Sequence, residues 1–132
     1  MDEKKVDWAL RIAVFGTFLG HGILALTIKK SWFPYFTGIG ISESVIPTLL
    51  ILIGIADVFV SLFALFKPVR GILLWATIWA FITALIRPVS GVFFSLDFLD
   101  FVERTANFMA PLALLLLYGW PKKFSEWFSV RS

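Results

Sequence analysis

Cysteine is absent from the 132 residues, which excludes disulfides, thiolate-held metals, iron–sulfur ligation and thiol redox chemistry carried by this chain. Histidine occurs once, as His21, so a bis-histidine haem site and any multi-histidine metal site are excluded as well. Charge is scarce: 16% of residues are charged and 59% hydrophobic, where a soluble domain has roughly a quarter and a half. There is no nucleophile–base motif, no glycine loop for phosphate and no spacing of metal ligands. Catalysis by this chain alone is not expected; any enzymatic role would be as a component of an oxidoreductase. The net charge of +3 comes from basic residues set singly or in pairs beside apolar runs, which is how membrane flanks look and not how nucleic-acid surfaces do.

What the sequence has instead is apolar length. Crossing about 30 Å of hydrocarbon takes about 20 helical residues, and four stretches reach or approach that: 8–28, 45–66, 71–87 and 102–119. The expected fold is therefore all-α, a single domain built as a four-transmembrane-helix bundle. The first stretch is too long for a signal-peptide core and lacks a small-residue cleavage site, so it reads as a retained span. Lys67-Pro68-Val69-Arg70 is so short that spans two and three must be antiparallel neighbours. The stretch 29–40 mixes aromatics, Pro and Gly as an interfacial loop does. The stretch 88–101 is too short to cross and too apolar to be freely solvated, which predicts an interfacial or re-entrant segment between helices 3 and 4.

Basic residues set the orientation. Lys4, Lys5, Arg11, Lys67, Arg70, Lys122, Lys123 and Arg131 fall on one side, and Lys29, Lys30, Arg87 and Arg104 on the other. The excess predicts that both termini are cytoplasmic; the expected location is a bacterial or archaeal inner membrane. Small or polar residues recur at helical spacing in every span, and in lipid such stripes mark the side that meets other helices. They are Ala9, Ala13, Gly16, Thr17 and Gly20 in span one, Gly54, Asp57, Ser61 and Ala64 in span two, Thr77, Ala80, Ala84 and Arg87 in span three, and Glu103, Asn107 and Ala110 in span four.

Close packing explains those stripes but not the charges, because an unaccompanied charge in hydrocarbon costs several kcal/mol. Arg11 lies one turn from the cytoplasmic end and reads equally as a snorkelling anchor. His21 and Asp57 lie roughly 12 Å and 18 Å below the outer surface, so they can meet; Asp57 is neutral, bonded to His21, or paired with Arg11. Arg87, Glu103, Arg104 and Asn107 gather near the outer surface. Either Arg87 pairs with Glu103 to lock two helices, or these groups and His21 wall an outward pocket for an amphiphile with a polar head.

Arg11, His21-Gly22, Lys29, the aromatic loop with Gly38-Ile39-Gly40, Gly54 with Asp57, the basic turn and the closing Gly119-Trp120-Pro121 together resemble the DoxX-like family of small four-helix membrane proteins. The resemblance covers most of the chain through short motifs. Many members carry Glu where this chain has Asp57, and Arg87-Pro88 and Glu103-Arg104-Thr105-Ala106-Asn107 are its own. Members are associated with thiosulfate:quinone oxidoreduction, methylamine utilisation and redox-stress complexes. The resemblance implies a membrane subunit near quinone or redox chemistry, with Arg11, His21, Lys29 and Asp57 on the matching positions. Taken together, the expected ligand site is His21, Asp57, Arg87, Glu103, Arg104 and Asn107, with Arg11 and Lys29 toward a quinone cofactor. The expected partners are the lipid bilayer, a second copy of the chain or redox-complex subunits. A purely structural subunit, or a small-solute or proton transporter acting as an oligomer, stands as the alternative.

Overall fold

The computed structural model describes residues 2–91 and 96–131. Every regular element among them is helical: α1 (Glu3–Leu26), α2 (Phe33–Thr37), α3 (Ile46–Phe66), α4 (Arg70–Ser90), α5 (Leu96–Glu103) and α6 (Thr105–Tyr118), with short 3₁₀ turns at Lys30–Trp32, Glu43–Val45 and Phe124–Phe128. Among the described residues three stretches are long and apolar enough to cross a membrane: α1, Glu43–Phe66, and α4. At 1.5 Å per residue, the 14 residues of α6 reach only about 21 Å. The expected fourth span at 102–119 is thus split: α5 ends at Glu103, Arg104 breaks the helical path, and α6 follows. Part of the expected interfacial segment, 92–95, lies outside the described residues. Its flanks are helical, since α4 runs through Pro88 to Ser90 and α5 begins at Leu96. Proline is tolerated there because only the last turn loses a hydrogen bond.

The helices pair unevenly. α1 packs most extensively on α3, and α4 on α6, with α1 also touching α6. α3 and α4 are joined by Lys67-Pro68-Val69 but pack on each other only slightly. The α1–α3 seam is close because Gly22 faces Gly54: a Cβ on Gly54 would lie 2.8 Å from the Gly22 carbonyl oxygen. Glycine is required at both positions for the backbones to approach that far. Val14, Phe18, Val60, Ala76, Ala80 and Phe108 form a buried cluster at mid-bundle, and Leu73, Leu114, Leu115 and Tyr118 a second one toward the termini.

The small-residue stripe of α1 corrects an expectation. Ala9, Ala13, Gly16 and Gly20 are exposed, and a Cβ on Gly16 or Gly20 would meet nothing within 4 Å. α1 instead turns Val14, Phe18, Gly22 and Ala25 inward. Small side chains permit a close approach without demanding one, whereas Val14 and Phe18 bury enough apolar area to decide which face goes in. The stripe of α3 does point inward, with Gly54, Asp57, Ser61 and Ala64 all buried.

The end of the bundle that carries both termini and the α3–α4 turn is fastened by two arginines. Arg11 lies 3.4 Å from the Asp7 carboxylate and donates to the Tyr118 hydroxyl (3.0 Å) and the Leu65 carbonyl (3.2 Å), while Tyr118 donates to Asp7. This joins α1, α3 and α6. Arg70, fully buried, donates to the Gly119 carbonyl at 2.9 Å and to the Ser129 hydroxyl at 2.8 Å, and its backbone N–H reaches the Ser129 carbonyl at 3.1 Å. The C-terminal turn is thereby held against the start of α4, closely enough that a Cβ on Gly71 would lie 2.9 Å from the Trp127 carbonyl oxygen.

Candidate functional site

The opposite end is built differently. The slight packing between α3 and α4 leaves a cleft, and a cavity of about 90 Å³ lies in it. α3 supplies Leu50, Ile53 and Asp57 to its wall, α4 supplies Trp79, Ile82, Thr83, Ile86 and Arg87, and α1 supplies His21. Trp32, Tyr35 and Phe36, from the short turn and α2, cover its end. α2 can lie flat across the bundle because the chain leaves α1 through Ile28 at φ 55 and returns through Gly40 at φ 91. The first is a left-handed conformation that a β-branched residue adopts only when its surroundings impose it.

The two charged walls of this cavity stand at different depths. Asp57 lies nine residues from the end of α3 and Trp79 nine from the start of α4, so both sit roughly 13 Å from the shared turn. Arg87 is seventeen residues along α4, roughly 12 Å beyond them. Side chains lean toward the N-terminus of their own helix, and the two helices are antiparallel, so Asp57 and Arg87 lean toward each other across the cavity. Apolar Leu50, Ile53, Ile82 and Ile86 occupy the space between.

Neither charged group is satisfied. Arg87 is 9% exposed; it donates to the Tyr35 hydroxyl at 2.7 Å and stacks over that ring at 4.6 Å, but its Nε has no hydrogen-bond partner. Asp57 is 3% exposed with the Trp79 indole as its polar neighbour, and its Oδ1 has no partner either. Among the described residues neither forms an ion pair. An unpartnered buried polar atom costs about 1–3 kcal/mol, and here two of them share one cavity. His21 meets Trp32 edge-on at 6.0 Å, and Lys29 lies 5.1 Å from the centre of the same ring, so both hold the aromatic cover in place.

Of the residues expected at the site, His21, Asp57 and Arg87 line this cavity. Lys29 reaches it only through Trp32. Glu103 and Arg104 lie outside its wall and pair with each other at 3.0 Å, so the Arg87–Glu103 lock, one of the two arrangements open from the sequence, is not formed: neighbouring residues meet at less entropic cost than residues on different helices. Asn107 is half-buried in the first turn of α6 and is not part of the lining. Arg11 is at the far end, engaged with Asp7 and Tyr118, so of the three states open to Asp57 the pairing with Arg11 is not formed. Asp7, four residues before Arg11 on the same helix face, is the nearer carboxylate.

The residues that sequence reasoning passed over are Tyr35, Trp79 and Thr83. Tyr35 and its neighbours read as an interfacial belt, and nothing in their spacing says that α2 folds over the cleft. Among the described residues no cluster of His, Asp and Glu could hold a metal ion. No family model, curated protein or solved structure matches the chain.

Proposed function

We propose that this chain is an integral membrane subunit that binds a lipophilic, quinone-like ligand by its polar head in the cavity between α3 and α4. The observation that carries this reading is the pair of unpartnered buried atoms, Arg87 Nε and Asp57 Oδ1, on facing walls of one mostly apolar cavity. Guanidinium donors suit a carbonyl or anionic oxygen, and the apolar middle suits a ring or chain. In this reading α5 and α6 together serve as the fourth crossing, both termini face the cytoplasm, and the cavity lies in the outer half of an inner membrane. The resemblance of the His21, Lys29 and Asp57 positions to the DoxX-like family supports service to a redox enzyme complex, with chemistry supplied by the ligand or by partner subunits.

Purification in native-lipid particles, followed by extraction and mass spectrometry, tests it. One amphiphile should co-purify in stoichiometric amount, and Arg87→Ala and His21→Ala should each lose it while keeping the helical circular dichroism of the parent. The reading fails if only water fills the cavity, with no amphiphile retained and both variants functionally silent.

A specific observation favours a second, structural reading for the other end of the bundle. There Arg11 and Arg70 have their hydrogen bonds made within the chain. A stoichiometric protein partner, captured equally well by variants of the cavity, would favour an assembly role for the whole chain.

A further inference from the structure

Taking the ligand-binding reading as its basis, we infer that the ligand enters sideways from the bilayer through the slot between α3 and α4. Its head carries two separated oxygens, at least one of them a hydroxyl, and its aliphatic tail stays in the slot.

The route follows from what closes each side of the cavity. The end facing away from the termini is roofed by Trp32, Tyr35 and Phe36. That roof is fixed to α4 twice: Arg87 bonds Tyr35, and Gly38 lies so close to α4 that an added Cβ would fall 2.5 Å from the Ser90 carbonyl oxygen. The α1 side is closed by the Gly22–Gly54 seam. The flank between α3 and α4 has no such seam. The wall residue Ile82 is 45% exposed there, and Ile53 across from it is half-buried. Both helices are apolar enough to cross a membrane, so what lies outside that flank is acyl chain.

The size of the guest follows from the volume. At about 15 Å³ for each water-sized unit, a cavity of about 90 Å³ takes a head of about six heavy atoms. A lipophilic molecule has more than that, so its remainder lies outside the cavity, and the slot is where it can go without meeting water.

The chemistry of the head follows from the two unpartnered atoms. Arg87 Nε only donates, so it needs an oxygen that accepts. Asp57 Oδ1 accepts when the carboxyl is ionised and donates when Oδ1 carries the proton; a hydroxyl answers both states, and a bare ester or ketone answers only the second. Because the residues stand roughly 12 Å apart in backbone level before their side chains lean together, one oxygen does not serve both. A monoacylglycerol or the reduced form of a quinone has the required pattern. An alkane or a simple alkyl ester does not.

The test uses the full chain in nanodiscs with three probes: 1-monolauroylglycerol, methyl laurate and dodecane. The monoacylglycerol should bind at least tenfold more tightly than the other two, and Asp57→Leu should erase that preference. Because the natural chain lacks cysteine, Ile53→Cys and Ile82→Cys together give unique thiols on the two lips of the slot. Bridging them with a reductively cleavable bis-maleimide on the folded, ligand-free protein should slow monoacylglycerol association at least tenfold, and reductant should restore it. The single variants capped with a monofunctional maleimide control for thiol modification, and Ile82→Trp, which narrows the slot without chemistry, should slow association in the same direction. Equal binding of all three probes overturns the head assignment, and association indifferent to both the bridge and Ile82→Trp overturns the route. Either result leaves the ligand-binding reading standing if a native amphiphile still co-purifies. Failure of every probe to bind, with no co-purifying amphiphile, overturns both.

Discussion

Adding one methyl group at Gly54 tests the α1–α3 seam on which the cavity wall depends. The new Cβ would lie 2.7 Å from Leu26 Cγ, 2.8 Å from the Gly22 carbonyl oxygen and 2.9 Å from Leu26 Cδ2. Leu26 can rotate, but the backbone oxygen can move only if the helices separate. Overpacking of this kind costs about 1–3 kcal/mol, and the better helix propensity of alanine returns up to about 1 kcal/mol. Gly54→Ala should therefore destabilise by about 1–2 kcal/mol. Gly22→Ala meets the same oxygen problem from the other side, at 3.0 Å from the Gly54 carbonyl, and should also destabilise. Gly16→Ala, whose Cβ meets nothing within 4 Å, should be neutral or stabilising by up to about 1 kcal/mol. Unfolding in mixed micelles of mild detergent and dodecyl sulfate, followed by far-ultraviolet circular dichroism, reads all three. The double variant of Gly22 and Gly54 should lose less than the sum of the two singles, because helices already parted leave room for the second methyl. A loss at Gly16 equal to that at Gly54 would refute the assignment of which face of α1 is inside.

The fastening at the terminal end yields three further expectations. Tyr118→Phe removes a hydroxyl that accepts from Arg11 and donates to Asp7; it should cost about 1–3 kcal/mol in the same unfolding assay. Arg70→Lys cannot reproduce bonds to both Gly119 and Ser129, so the C-terminal turn should open more often. Tryptic cleavage after Lys122 and Lys123 should rise about tenfold, as the loss of about 1.5 kcal/mol implies. Glu126 accepts from the Lys122 backbone N–H at 2.8 Å, which holds its carboxyl below the usual carboxylate range. A depressed folded value means that its contribution is present above the ordinary carboxylate pKa and is lost as pH falls through the folded value. Acidification through that window should shift the emission of Trp127, which packs on Trp120 at 5.4 Å, and Glu126→Gln should abolish the shift.

The composition and the length of the apolar runs made the helical, membrane-suited character legible, because lipid leaves few other ways to satisfy a backbone. The depth arithmetic likewise placed His21 and Asp57 near each other, and both line one cavity. What spacing could not convey was direction around the helix axis when two faces compete. On α1 the small stripe and the Val14–Phe18 face lie on different sides, and only the partner helix decides between them. Nor could it convey local alternatives for a long side chain: Arg11 has Asp7 one turn away, and Arg104 has Glu103 beside it. Spacing leaves Arg11 open to Asp57 and Glu103 open to Arg87, and it cannot rank such distant partners against a neighbour. Arg70 likewise shows in the sequence only as a topological charge, since nothing in the turn announces that the chain will return through Ser129 to meet it.

The distribution of satisfied and unsatisfied polar groups gives the bundle a working end. Near the termini Arg11 and Arg70 make hydrogen bonds to α3, α6 and the C-terminal turn, so helices joined there have little freedom to part. Toward α2 the same antiparallel pair, α3 and α4, flanks a cavity whose two charged walls each hold one unpartnered atom. A tight turn with a cavity at the far end suits a hinge: small changes of angle near Lys67-Pro68-Val69 become larger displacements of Arg87, which lies roughly 26 Å along α4. Ligand binding should therefore change the separation of α3 and α4 at Ile53 and Ile82 more than at Ala64 and Leu73. Spin labels at those two pairs of positions would measure the difference. Equal changes at both levels would mean that the helices move as rigid parallels and that the arginine fastening does not set the pivot.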